Sequence, residues 1–232
     1  MIFFLHHLYN LLPTETLHHL NGYIIGIVLV ISILMTGCRR METMVRLFAC
    51  QSFGLVLITL FAGIHNNSSG TLFVSGVSFI GKCFLIPWIL MKVLQKVQIK
   101  REIETYISLP TSMLLICCLT ALVFEITTNI GIGKEVNVLS TELLSTSISM
   151  ILIGLFIMMT RKKAFAQILG LYVMENGILA LTVDTIFEMP MIVEMGIFLD
   201  LLIGVLVMGI WVFRIKQSFD TINVEELQKL KG

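Results

Sequence analysis

Long apolar stretches separated by short polar connections make up most of the chain. These stretches are about 20 residues long, the length that an α-helix needs to cross the hydrocarbon core of a bilayer. Their apolar positions are continuous and do not alternate with a period of two, which excludes a transmembrane β-barrel. The pattern predicts an all-α, polytopic transmembrane helical bundle. It has about seven spans, at about 21–38, 45–64, 72–92, 110–127, 143–160, 165–184 and 191–213.

Polar segments flank the predicted transmembrane domain, 21–218. Residues 1–20 contain Pro13 and are predicted to form an interfacial N-terminal segment. Residues 219–232 are predicted to form a cytosolic tail, in which Asn223 followed by Glu226 fits a helix capping box. The chain thus divides into a short N-terminal segment, one membrane domain and a polar tail.

Arginines and lysines are concentrated in alternate connections. They follow spans one, three, five and seven, whereas the opposite connections contain Lys134 alone. Basic residues near the ends of spans are retained on the cytoplasmic side of a membrane. The distribution predicts a multi-pass protein of the cytoplasmic (inner) membrane, with its N-terminus outside and its C-terminus in the cytoplasm.

The overall composition agrees with a membrane protein. The chain is 56% hydrophobic and 13% charged, with a mean hydropathy of +0.94, whereas a soluble domain needs a larger charged surface. The net charge of +1 gives no electrostatic reason to expect nucleic-acid binding. The five cysteines lie in or beside apolar runs without a CxxC pair, so we interpret them as small apolar side chains. No metal site is predicted.

Three ionisable residues fall near the midpoints of their predicted spans. They are Lys82 in span three, Glu175 in span six and Asp200 in span seven. With a rise of about 1.5 Å per residue, their depths in the membrane should agree within about 5 Å. Charged groups at this depth are costly and usually functional, which favours a proton relay. The alternative is that Lys82 pairs with a carboxylate and only holds the bundle together.

A proline follows the lysine in span three. Pro87 removes an amide donor and should free the carbonyl of Cys83, kinking the helix beside Lys82. Freed backbone groups at this depth often line a hydrated cavity. The kink could equally serve helix packing alone.

Two segments of the chain align with each other. Residues 46–58 match residues 170–182, so that Gln51 falls on Glu175 and Ser52 on Asn176. The two segments run in the same direction through the predicted membrane. Spans one to three are therefore interpreted as a parallel copy of spans five to seven, with span four as the additional helix.

Several motifs together resemble one protein family. They are Ala49-Cys-Gln-Ser52, Lys82 followed by Pro87, Tyr172 through Met174-Glu-Asn-Gly177, Asp200, and the ending Asn223-Val-Glu-Glu-Leu-Gln-Lys-Leu-Lys-Gly232. Nearly the whole chain resembles the component E membrane subunit of hydrogenase-4 type complexes, which are group 4 membrane-bound nickel–iron hydrogenases and formate hydrogenlyases. The last three spans also resemble the K-type subunit of respiratory complex I. In that comparison Asp200 corresponds to the second membrane glutamate of the K-type subunit. Tyr172, one helical turn before Glu175, occupies the position of the first.

The resemblance implies a non-catalytic membrane subunit of an oxidoreductase complex. Its partners would be antiporter-like membrane subunits and a cytosol-facing hydrogenase module, and it would hold no cofactor of its own. Redox chemistry in the partners would drive proton translocation through Glu175, Asp200 and Lys82. Two alternatives remain open at this point: a subunit of a multisubunit cation/proton antiporter, and a purely structural membrane scaffold.

Overall fold

The computed structural model describes residues 14–65, 69–96, 105–130 and 141–185, together with Gly196 and Gly204. These parts are 92% helical and contain no strand. In chain order the elements are α1 (Thr14–Thr36), α2 (Met41–His65), α3 (Ser69–Ser78), the π-helix π1 (Phe79–Leu85), α4 (Ile86–Lys96), α5 (Leu109–Ile130), α6 (Thr141–Thr160) and α7 (Ala164–Thr185). The predicted all-α fold class is confirmed.

In the part of the chain that the structure describes, five helices are long and apolar enough to cross a membrane, judged by length and composition. They cover Met41–Ile64, Gly70–Lys92, Leu109–Asn129, Thr141–Thr160 and Ala164–Thr182. The apolar stretch Asn21–Thr36 of α1 is shorter. The seventh predicted span, 191–213, lies outside the described residues except for Gly196 and Gly204. The span count and the parallel repeat therefore stay predictions.

The apolar helix at Gly70–Lys92 changes its winding near its middle. α3 continues without a break into π1 and then into α4, and the Ile86 amide donates to the carbonyl of Gly81, five residues back. Pro87 follows directly after this wide turn. The disturbance predicted beside Lys82 thus takes the form of a π-helical segment, a wide turn that is often found at functional sites.

Glycines allow α6 and α7 to touch backbone to backbone. A Cβ atom on Gly154 would lie 2.5 Å from the Met174 nitrogen, and one on Gly177 would lie 2.8 Å from the Ile151 nitrogen. Small residues at such positions let membrane helices approach closely. This close contact fixes the part of α7 that contains Glu175 and Asn176.

The main apolar core lies between α1, α2, α4, α6 and α7, and α5 contributes Ile116 to it. At its centre the rings of Phe48 and Tyr172 pack with their centroids 5.3 Å apart, and both side chains are buried. Met44 and Leu90 are part of the same cluster. α2 therefore joins α7 to the α3–π1–α4 segment.

Arg161 links the ends of two helices in the connection between α6 and α7. Its side chain is buried and its Nη2 donates to the carbonyl of Thr36, at the end of α1. The guanidinium lies near the C-terminal ends of α1 and α6, where helix dipoles favour positive charge. Burial nevertheless lowers the pKa of Arg161 from its ordinary value. Arg161 therefore acts as a cap that ties α1 to the α6–α7 connection.

Candidate functional site

A lysine and a glutamate meet inside the bundle. Lys82 Nζ donates to Glu175 Oε1 at 2.7 Å, and the two side chains are only 4% and 6% exposed. The residues come from π1 and α7, 93 positions apart in the chain. The positions of Lys82 and Glu175 within separate apolar runs predict that the two residues share one depth in the membrane. In the structure they are in direct contact.

The pair is extended by an asparagine and a serine. Lys82 Nζ also donates to Asn176 Oδ1 at 3.3 Å, and Asn176 Nδ2 donates to Ser52 Oγ at 3.2 Å. Asn176 and Ser52 are both buried. The result is a continuous hydrogen-bonded network across π1, α7 and α2.

A second polar contact lies next to this network on α2. Gln51 Nε2 donates to Ser32 Oγ at 2.8 Å, and the Ser32 hydroxyl donates to the Val28 carbonyl at 2.7 Å. Gln51 is fully buried, and its Oε1 accepts no hydrogen bond from the described residues. Ser32 was not identified from the sequence, because a lone serine in an apolar helix gives no functional signal.

The two segments that align with each other in the sequence are also in contact in the structure. Ser52 is the position that aligns with Asn176, and the two side chains are hydrogen-bonded to each other. Gln51, which aligns with Glu175, instead contacts α1 through Ser32. The corresponding segments of α2 and α7 therefore meet at the network.

The remaining predicted site residues are Tyr172, Pro87 and Asp200. Tyr172, one turn before Glu175 on α7, is buried against Phe48. Pro87 lies in the first turn of α4, just after the segment that holds Lys82. Asp200 lies outside the described residues, so its relation to the pair stays a prediction.

The local backbone explains why Lys82 and Glu175 are held in place. Lys82 is the buried residue of π1, whose other positions are partly or fully exposed. On α7, Gly177 presses against α6 two residues after Glu175, which leaves this turn little freedom to rotate. One member of the pair thus sits on a rigid helix and the other on a π-helical turn.

The described residues contain no cluster of three or more histidine, cysteine or acidic side chains that could hold a metal ion. The chemistry that the network itself can support is proton exchange. A lysine and a carboxylate in contact hold a proton between them, and the asparagine carbonyl offers the ammonium a second acceptor.

Comparison with known proteins finds distant relatives that cover most of the chain. The chain is 26% identical over 213 residues to hydrogenase-4 component E of Escherichia coli K12 and of Shigella flexneri, covering 89% of this chain and 95% of each relative. The chain is a distant relative of hydrogenase-4 component E. It is also similar to an uncharacterized protein of Mycobacterium tuberculosis, with 30% identity over 210 residues, 89% of this chain and 93% of that protein. No family model matches the chain, and no solved structure matches it.

The match to component E of Escherichia coli K12 extends along nearly the full length of both chains. The predicted family is therefore confirmed at the level of a distant relationship.

Proposed function

We propose that this chain is an integral membrane subunit of a membrane-bound hydrogenase complex, in which Lys82, Glu175 and Asn176 pass protons at mid-membrane depth. The observation that carries this proposal is the 2.7 Å contact between two oppositely charged side chains inside a bundle of apolar helices. The family relationship supports the choice of complex, since two relatives are named as hydrogenase-4 components.

The pair can transfer one proton per cycle and then return to its starting state. At rest Glu175 is ionised and Lys82 is protonated, so the pair is neutral overall. A proton arriving at Glu175 removes the carboxylate charge and leaves a buried ammonium without its counter-charge. Because desolvation disfavours a lone charge, Lys82 then releases its proton onward. Transfer of the remaining proton from Glu175 to Lys82 restores the original pair.

Asn176 and Ser52 have a positioning role in this scheme. The Asn176 carbonyl oxygen accepts from Lys82, while its amide is held by Ser52. This arrangement keeps the ammonium within reach of the carboxylate through the cycle. Gln51 and Ser32 support α2 from the α1 side.

Asp200 is proposed as the next proton carrier, and Tyr172 as a polar neighbour on α7. The complex would further contain antiporter-like membrane subunits and a hydrogenase module on the cytosolic side, as in formate hydrogenlyase and complex I-like assemblies. Redox chemistry would take place in those partners. The chain would lie in the inner membrane with its N-terminus outside and its C-terminus in the cytoplasm.

The test is Glu175→Gln in the assembled complex. The amide keeps the shape of the side chain but cannot carry a proton through the cycle. The rate of proton movement is expected to fall roughly a hundredfold, the low end of the rate contribution of a positioned acid–base group, so fewer protons move per hydrogen turned over. Proton uptake by sealed vesicles and hydrogen turnover are measured on the same sample.

The matched control is Glu142→Gln, which changes an exposed carboxylate in the first turn of α6. It should leave both measurements unchanged. Assembled Glu175→Gln complex that moves protons at the normal ratio would assign the pair a purely structural role.

A further inference from the structure

Helix α5 lies at the edge of the bundle formed by the described residues. Only 17% of the apolar 18-residue stretch of α5 is buried, compared with 61% of the corresponding stretch of α6. Its exposed side includes Leu115, Leu122 and Ile126, which are 44%, 59% and 46% exposed. Most of this helix surface is therefore left uncovered by the described residues.

A carboxylate lies within this exposed apolar side. Glu125 is exposed, and Asn129 Nδ2 donates to its Oε1 at 2.8 Å. The candidate span that contains it ends at Asn129, so Glu125 lies about 6 Å inside that end at 1.5 Å per residue. A charged side chain inside a span is rarely left facing acyl chains, because it requires water, a partner or neutralisation.

The spacing on α5 fits contact with another helix. Leu115, Cys118, Leu122, Glu125 and Asn129 follow one another at intervals of three, four, three and four residues. This is the spacing with which helices interlock along a shared seam. We call these five residues the α5 stripe.

We propose that the α5 stripe docks against a transmembrane helix of another subunit that presents a lysine or arginine to Glu125. The inference rests on the proposed function only in taking the chain to be part of a complex. Charge complementarity selects the occupant, since acyl chains offer a carboxylate no partner. A second copy of the stripe is excluded as the occupant, because α5 contains no lysine or arginine to face Glu125.

Photo-crosslinking in the full complex tests the contact directly. Leu122 is replaced by a benzophenone-bearing amino acid, and the complex is irradiated in native membranes. The expected product is an adduct between this chain and another subunit, with the linked peptide in an apolar helix that contains a lysine or arginine. Adducts with lipid alone, a link to another segment of this same chain, or an adduct of twice the mass of this chain would overturn the proposal.

Charge variants test the role of Glu125 in the same assay. Glu125→Lys should lower the yield of the intersubunit adduct about tenfold or more, because like charges would then face each other. Glu125→Gln, which keeps the size and the acceptor for Asn129, should lower it less. Exchange of the partner's cation for glutamate should restore the adduct in the Glu125→Lys complex. Equal yields from Glu125→Lys and the unmodified chain would contradict the charge pairing.

The Glu175→Gln variant separates this inference from the proposed function. The adduct at Leu122 depends on assembly and not on proton movement, so Glu175→Gln should retain it. In the Glu175→Gln complex, loss of proton movement with the adduct intact supports both proposals. Loss of proton movement without any protein adduct overturns only the docking site, and a normal proton ratio with the adduct intact overturns only the relay.

Discussion

The Lys82–Glu175 contact holds two opposite charges away from water, so the energetic consequences of changing it are asymmetric. Removal of one partner leaves the other buried without its counter-charge, which typically destabilises a protein by about 3–5 kcal/mol. Replacement of both partners removes the unpaired charge as well. The pair is thus expected to behave as one unit in mutational experiments.

We expect Lys82→Met to lower the free energy of unfolding by about 3–5 kcal/mol, since it leaves the Glu175 carboxylate in an apolar interior. The double variant Lys82→Met with Glu175→Gln should be more stable than Lys82→Met alone. The free energy of unfolding of each variant is measured on the purified chain in detergent. Strictly additive losses would show that the two side chains do not interact.

Ser52 has a smaller predicted effect. Ser52→Ala removes the hydroxyl that accepts from Asn176, and the loss of one buried hydrogen bond costs about 1 kcal/mol. The same unfolding measurement checks this value. A loss as large as that of Lys82→Met would mean that Ser52 supports more than the asparagine.

At the scale of helices, the close approach of α6 and α7 determines where Glu175 lies. Gly154→Ala is expected to destabilise the bundle by about 1–3 kcal/mol, because the added methyl group meets the backbone of α7. Gly26→Ala is the matched control, since a Cβ atom there meets nothing within 4 Å. It should be neutral or slightly stabilising. Comparable losses from the two variants, measured by thermal unfolding, would show that the α6–α7 contact is not tight.

The helical elements differ in how far their sequences predict them. Continuous apolar runs predict membrane-length helices because backbone groups in lipid must bond within the helix. Pro87 signals a disturbance in its helix, but does not distinguish a kink from the π-helical turn that the structure contains at Phe79–Leu85. The choice depends on neighbouring packing, which lies on other segments of the chain. Glycine spacing likewise gives no indication that Gly154 of α6 packs against α7 and that Gly177 of α7 packs against α6.

At the scale of the whole molecule, the depth of a residue in the membrane could be predicted from sequence more readily than its contacts with other helices. Counting residues within each apolar run places Lys82 and Glu175 at one level, and the structure joins them at 2.7 Å. Lateral neighbours depend on how the helices are arranged around one another, which residue counting does not determine. The contacts of Ser32 with Gln51 and of Ser52 with Asn176 therefore emerged only from the fold. The position of Glu125 near the end of its span gives no signal in the sequence that separates it from an ordinary carboxylate at a helix end.

The assembled complex offers the most direct test of the proton relay, through the protonation state of Glu175 during turnover. Infrared difference spectra of the working complex should show a carboxylic acid C=O band that appears with turnover and is absent from the Glu175→Gln complex. A Glu175 that stays ionised throughout turnover, with proton movement undiminished, would contradict the relay.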